Sequence, residues 1–296
     1  MRTILAALFL VALPAHAALN VLACEPEWAA LVKEIGGDKV NATSATTALQ
    51  DPHRIEARPS LIARARGADL MVCTGAQLEI GWAPLLQSQS GNAKIQTGQP
   101  GYFEAAGVVS LLERPTSVDR SQGDVHPAGN PHLHLNPHNI ERVASALIER
   151  MAAIDAREAQ NYRSRGDAFL KRWREATARW EKEGAPLKGM GVVTYHKNLT
   201  YLYAWLGMRE LGTLESKPGL PPSTAHLTAL LEQLQREPAK AMVRAAYNEP
   251  RAAEWLAERA HIPVVVLAFT VGGTDQAKDL FSLYDDSLAR LLALLK

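Results

Sequence analysis

The stretch Asn130-Pro131-His132-Leu133-His134-Leu135-Asn136-Pro137-His138 puts three of the chain's nine histidines within seven positions. Neutral imidazole is the commonest nitrogen ligand a protein offers a transition metal. The chemistry such a cluster suggests is metal capture, provided that other ligands reach the same point. His53 lies in LQDPHRIEARPS, His196 in VVTYHKNLTYLY and Asp275 in LAFTVGGTDQAKD. Three imidazoles and one carboxylate complete a four-coordinate zinc shell. Asp279 and Glu249 are alternatives to Asp275 as the carboxylate. His126, in GDVHPAGNP, is either a plain loop residue or an auxiliary capture residue. His134 shares a face with His132 in extended chain and is expected beside the site as a lid or supporting residue. Pro137 starts a helix that carries His138 away into solvent. His226 and His261 sit in amphipathic segments as ordinary helix and loop residues.

The elements that must position these residues alternate along the chain. LNVLAC (19–24), VNATSAT, DLMVCTG and, as a fourth candidate, AKIQTG (93–98) read as strands, with helices at EWAALVKEIGG, PSLIARARGA and IGWAPLLQSQ. PTSVDRSQGDVHPAGNP (115–131) is a Gly/Pro/Ser-rich loop. One helix follows Asn136-Pro137. A second, over 156–184, carries Tyr162, Phe169, Trp173, Ala176 and Trp180 on one face, a core stripe rather than a cofactor site. The alternation then restarts, with strands at GMGVVTY, MRELGTL, KAMVRAA and PVVVLAF and helices between them and after the last. Helix-separated strands imply parallel sheets whose ligands bind beyond the strands' carboxyl ends. The expected fold is therefore α/β: an N-terminal lobe over 18–155, a spine helix over 156–184 and a C-terminal lobe over 185–296, with the metal site in the cleft between lobes. His53 and His196 then follow strands of opposite lobes, Asp275 follows the last strand, and His132 lies in the connection.

Composition narrows the function. Residues 1–17 place Arg2 before the apolar run Ile4–Leu13 and end in Ala15-His16-Ala17, the layout of a cleaved secretory signal peptide. Processing as a lipoprotein at Cys24 is the rival cut. Periplasmic export is the expected localisation. The 32 basic and 31 acidic side chains leave a net charge of +1, which offers no field for nucleic acid or an anionic membrane. Cys24 and Cys73 end strands that are neighbours in a doubly wound sheet, so a disulfide is expected in an oxidising compartment.

The motifs DPH.....PS, NPHLHLNP, YH....Y and FTVGGTD.AKDLF.LYDD, in this order, resemble the cluster A-I solute-binding proteins of zinc and manganese ABC transporters, and most closely the AztC-type zinc binders. The resemblance implies His53, His132, His196 and Asp275 as ligands of one Zn²⁺ per chain, no catalysis, and delivery to the membrane permease of an ABC importer. It leaves a periplasmic zinc chaperone open as a second partner and implies a monomer. Manganese-preferring members commonly carry a carboxylate where this chain has His196, which argues for zinc. The chain departs from many members in having His134 where they have Trp, and in lacking a long His-rich loop. Rival readings are a manganese- or iron-preferring member, a metal-dependent adhesin, and a secreted zinc hydrolase using Glu25 or Glu27 as base.

Overall fold

The computed structural model describes residues 17–116 and 123–296. The leader expected over 1–17 falls, up to residue 16, outside the described residues, as do positions 117–122 of the long loop. Strands β1 (Leu19–Ala23), β2 (Val40–Ser44), β3 (Leu70–Cys73) and β4 (Tyr102–Glu104) form a parallel sheet in the order β2-β1-β3-β4. Strands β5 (Gly191–Thr194), β6 (Arg209–Thr213), β7 (Met242–Ala245) and β8 (Val264–Leu267) form a second, in the order β6-β5-β7-β8. The two lobes thus share one strand order without an obvious sequence repeat. In each, the order reverses beside the first strand, where side chains beyond the strand ends can converge on a ligand.

The central strands are buried on both faces, and their side chains divide between cores by the period of two. Val21, Ala23, Leu70, Val72, Val192, Val243 and Ala245 enter one large core, whereas Leu22, Met71 and Cys73 pack on the outer face of the first sheet. Val193 and Met242 pack on the outer face of the second. Helices α1 (Pro26–Gly36), α4 (Pro137–Ile154), α5 (Ala159–Gly184) and α9 (Leu280–Leu292) fill the large core between the sheets. This core is continuous from β1 to α9, so the lobes are joined by packed apolar surface as well as by chain.

Helix α5 is the spine expected from its aromatic stripe. Tyr162, Phe169, Trp173 and Trp180 are fully buried; Trp180 stacks on Tyr284 of α9, and Trp173 meets both edge-on. Each indole N–H has an acceptor, Pro137 O at 2.8 Å for Trp173 and Asp285 Oδ1 at 2.6 Å for Trp180. That is the condition under which burying a tryptophan is favourable. Helix α6 (Thr200–Leu206) also packs into the large core, whereas α2 (Pro59–Arg66) and α3 (Ala83–Ser90) cover the outer face of the first lobe and α7 (Thr224–Arg236) and α8 (Pro250–Ala260) that of the second.

One strand lies elsewhere than expected. AKIQTG is not the fourth strand; Ala93–Ile95 form a 3₁₀ turn, and β4 starts at Tyr102, opposite Met71. The Asn92 side chain accepts from Lys94 N and the Gln87 amide donates to Ile95 O. Those bonds satisfy the backbone locally and compete with a ladder.

The Cys24–Cys73 disulfide joins the ends of β1 and β3, with Cα atoms 4.8 Å apart. Beside it lie buried carboxyls. Glu79 accepts from Thr74 N at 2.7 Å and Gly75 N at 3.1 Å, and Glu25 accepts from Thr74 Oγ1 at 3.0 Å. Burial pushes Glu79 up to about 7 despite these bonds. Burial, then the charges of Glu79 and Glu27, raise Glu25 well above the carboxylate range.

Two outcomes follow. Trp180→Ala should cost about 3–5 kcal/mol, read as a lower urea midpoint at unchanged slope. Glu79 holds its proton more tightly folded than unfolded, so its contribution to stability is complete below the unfolded value of 4.5 and is lost as pH rises towards about 7. The stability difference between Glu79→Gln and the parent should therefore move in the variant's favour over that window, by roughly 1–3 kcal/mol. A pH-independent difference would contradict the assignment.

Candidate metal centre

His53 is set by a turn that the preceding residues build. Asp51 Oδ1 accepts from the backbone N–H of His53 at 3.0 Å and contacts its Nδ1 at 2.7 Å. The carbonyl of Pro52 accepts from the Trp82 indole at 2.8 Å, which pins the turn to the N-terminus of α3. With Nδ1–H donated to Asp51, the lone pair of His53 lies on Nε2.

His196 lies two residues beyond β5, and its Nδ1 is 2.7 Å from Glu215 Oε2 in the turn after β6. The same oxygen accepts from Gly219 N at 2.8 Å. The Gly219 carbonyl, in turn, accepts from Arg54 at 2.9 Å, so a chain of hydrogen bonds crosses the cleft from beside His53 to His196.

His132 is placed by Asn130. The Asn130 side chain accepts from His132 N at 3.0 Å and donates to Lys197 O at 2.8 Å and Glu113 Oε2 at 2.9 Å, while its carbonyl accepts from Tyr201 OH at 2.7 Å. His132 is 1% exposed, and its Nδ1 is buried with no hydrogen-bond partner. An orphaned ring nitrogen in such a place is costly unless something else uses the ring.

The three rings meet in a nearly equilateral triangle, with centroids 5.3 Å apart for His53–His132, 5.4 Å for His132–His196 and 5.5 Å for His53–His196. One ligand atom from each lies within 4.8 Å of the others. His126 closes the group from the long loop, its Nε2 3.3 Å from Nε2 of His53. A zinc tetrahedron with Zn–N bonds of ~2.0–2.1 Å has edges of about 3.3 Å. Asp124 N, two residues before His126, donates to Pro218 O at 2.8 Å, which ties the loop to the second lobe.

The electrostatics suit a divalent cation. Burial first, then the neighbouring His53 and His196, hold His132 well below the ordinary histidine value. The same causes push His126 down to about 4. Both rings are neutral at pH 7, the state a metal requires. Burial opposes ionisation of Asp51, but the bonds and charge of His53 outweigh it and keep its carboxyl below the usual range. Asp51 and Glu215 thus place two anions behind the imidazoles, opposite in sign to a doubly charged ion.

The other expected residues lie outside this group. Asp275 is exposed. Its turn folds back on itself through Gly272 N to Ala277 O at 2.6 Å, and Thr274 Oγ1 is tied to Asp286 of α9 at 2.7 Å, which leaves Asp275 on the outside. Asp279 and Glu249 cap α9 and α8. His134 is fully buried; its Nε2 lies 2.7 Å from Phe269 O and its Nδ1 3.2 Å from Glu27 Oε1, so it braces α1 against the segment after β8. Phe269 separates it from the triangle, 5.4 Å from the His132 ring and 4.7 Å from that of His134. His138 is exposed beside Glu181 at 2.8 Å. Glu25 and Glu27 are buried; Glu25 hydrogen-bonds Thr74, and Glu27 contacts Thr270 and His134, so neither faces the group as a base. Asp51 carried a local signal, two positions before a histidine in a turn. Glu215, nineteen residues beyond His196, carried none.

No helix among the described residues is long and apolar enough to cross a membrane. The family described as "ZnuA: Zinc-uptake complex component A periplasmic" matches residues 21–293. The zinc-binding lipoprotein AdcA of Streptococcus pneumoniae is 23% identical over 240 residues, 78% of this chain. The match covers 47% of AdcA, so the chain spans about half the length of that relative. The manganese ABC transporter substrate-binding lipoprotein PsaA of Streptococcus mitis is 23% identical over 90% of this chain and 85% of its own. Among solved structures, ZnuA superposes with a TM-score of 0.75 at 18% identity, covering 92% of this chain and 99% of that one. The Mn-bound periplasmic metal-binding protein of Candidatus Liberibacter asiaticus gives 0.75 at 18% identity, over 93% of this chain and 99% of that one. The chain belongs to the ZnuA family of metal-binding substrate-binding proteins.

Proposed function

We propose that this protein captures one Zn²⁺ outside the cytoplasm and delivers it to the permease of an ABC importer. The ion is its cargo, and the protein performs no chemistry on it. His53, His132 and His196 are the ligands from the scaffold, and His126 takes the fourth place. The observation that carries this reading is the imidazole-only composition of the convergent group, with Asp51 and Glu215 each engaged at the back of a ring. An all-nitrogen tetrahedral set suits Zn²⁺, whereas Mn²⁺ prefers an oxygen-rich, higher-coordinate shell. Asp275, the carboxylate expected in fourth place, is disfavoured by its exposure.

A manganese-delivering role is the second reading, favoured by the likeness to PsaA along most of the chain. It requires a carboxylate donor at the site; Asp51 and Glu215 are engaged with His53, His196 and Gly219, while Asp124 and Glu113 line the same cleft. A hydrolase would need an open coordination position and a general base. The fourth imidazole fills that position.

Competition with a chelator of known affinity separates these readings. The parent should bind one Zn²⁺ and hold Mn²⁺ orders of magnitude more weakly; equal affinity for the two ions would overturn the zinc assignment. His132→Ala should lose zinc affinity by orders of magnitude, and His126→Ala by less, because only His53, His132 and His196 bring a ligand atom each within 4.8 Å of one another. His196→Glu should shift preference towards Mn²⁺. Asp51→Asn and Glu215→Gln keep the ligands but weaken the acceptor behind them, and each should cost about 10–100-fold in zinc affinity. Unchanged affinity in both would remove the orienting role of these carboxylates.

A further inference from the structure

A second group of metal-binding side chains lies outside the histidine centre, where β1 and β3 end. The Sγ atoms of Cys24 and Cys73 and a carboxylate oxygen of Glu79 lie within 4.8 Å of one another. None of the three residues is more than 3% exposed. Glu25 lies beside them: it is 1% exposed and its Oε1 has no hydrogen-bond partner. Glu27, also 1% exposed, adds a third buried carboxyl whose Oε1 is unpartnered except for the His134 ring.

We infer that the chain, before its disulfide forms, holds a soft divalent cation between Cys24, Cys73 and Glu79, and that disulfide formation closes this second site. Two thiolates and one carboxylate select Zn²⁺ or Cd²⁺ over harder ions. Binding releases two thiol protons. Closure is a thiol–disulfide exchange with an oxidising disulfide: the two Cys sulfurs bond to each other, the cation leaves, and the oxidant's two sulfurs take up two protons as thiols. Both cysteines are 0% exposed, so the bond, once made, is sheltered from bulky reductants. The mature protein is thereby left with the histidine centre as its metal site.

Cobalt(II) reports the two sites separately, because only thiolate ligands give an intense sulfur-to-cobalt charge-transfer band. The full chain is reduced with a trialkylphosphine, which takes an oxygen from water as the disulfide takes its two hydrogens. It is then freed of phosphine and titrated with Co²⁺ under argon beside the oxidised chain. The reduced chain should bind one more equivalent than the oxidised chain, with the charge-transfer band. Glu79→Gln should weaken that extra equivalent by about tenfold or more. The double variant Cys24→Ser/Cys73→Ser should lack it. In a His53→Ala/His132→Ala background the extra equivalent should persist, so failure of the histidine centre and failure of this site are told apart. Equal stoichiometry in both redox states, an extra equivalent without the charge-transfer band, or a reduced chain that is unfolded by circular dichroism would each overturn the inference.

Discussion

Gathering imidazole rings from separate elements at one point is the constraint on which this structure turns. Convergent ring nitrogens repel, they are removed from water, and each ring can rotate or change tautomer to escape. The fold opposes each escape with a specific contact. Asp51 fixes the His53 ring, and Glu215 fixes that of His196. Asn130 fixes the backbone that presents His132, whose Nδ1 remains without an acceptor. Such an arrangement is unfavourable alone and becomes favourable when a cation is shared among the rings.

Holding that geometry requires the lobes to keep their relation, because His53 comes from one and His196 from the other. Many cleft-binding proteins join their lobes by flexible strands and close by a hinge. Here a single apolar core runs from β1 through α4, α5 and α9 to the second sheet, and α5 packs aromatic rings along its length. A packed core of this kind resists continuous deformation. The segment that carries His126 is tied at Asp124 to Pro218 of the second lobe and lies beside Arg54 of the first, and the His134–Glu27 contact braces the scaffold behind the rings.

Much of this architecture was legible in the sequence because its signals are local. The βα alternation, the aromatic face of α5, the Asn136–Pro137 helix start and the neighbouring strand ends of Cys24 and Cys73 each follow from short-range pattern. Three histidines following or joining the sheets could be expected at one cleft from the rule for parallel α/β folds. What escaped is non-local. AKIQTG has strand-like composition, yet Asn92 and Gln87 bind its backbone first. Asp275 sits in a Gly turn after the last strand, and the exposure that the turn's internal bonds give it was not legible from its neighbours in sequence. His126 was one of two readings for a loop residue, and only the fold of that loop brings it to His53. Glu215 had no signal, because its partner is in another element.

The central claim is that the bound ion sits among imidazoles, without a carboxylate. The zinc K-edge absorption spectrum of the loaded protein in solution tests it most directly. The account predicts a single shell of four nitrogens at about 2.0 Å, with the multiple-scattering pattern of four imidazole rings. A shell containing a carboxylate oxygen and only three imidazoles would contradict it and return the fourth position to Asp275 or another acidic residue.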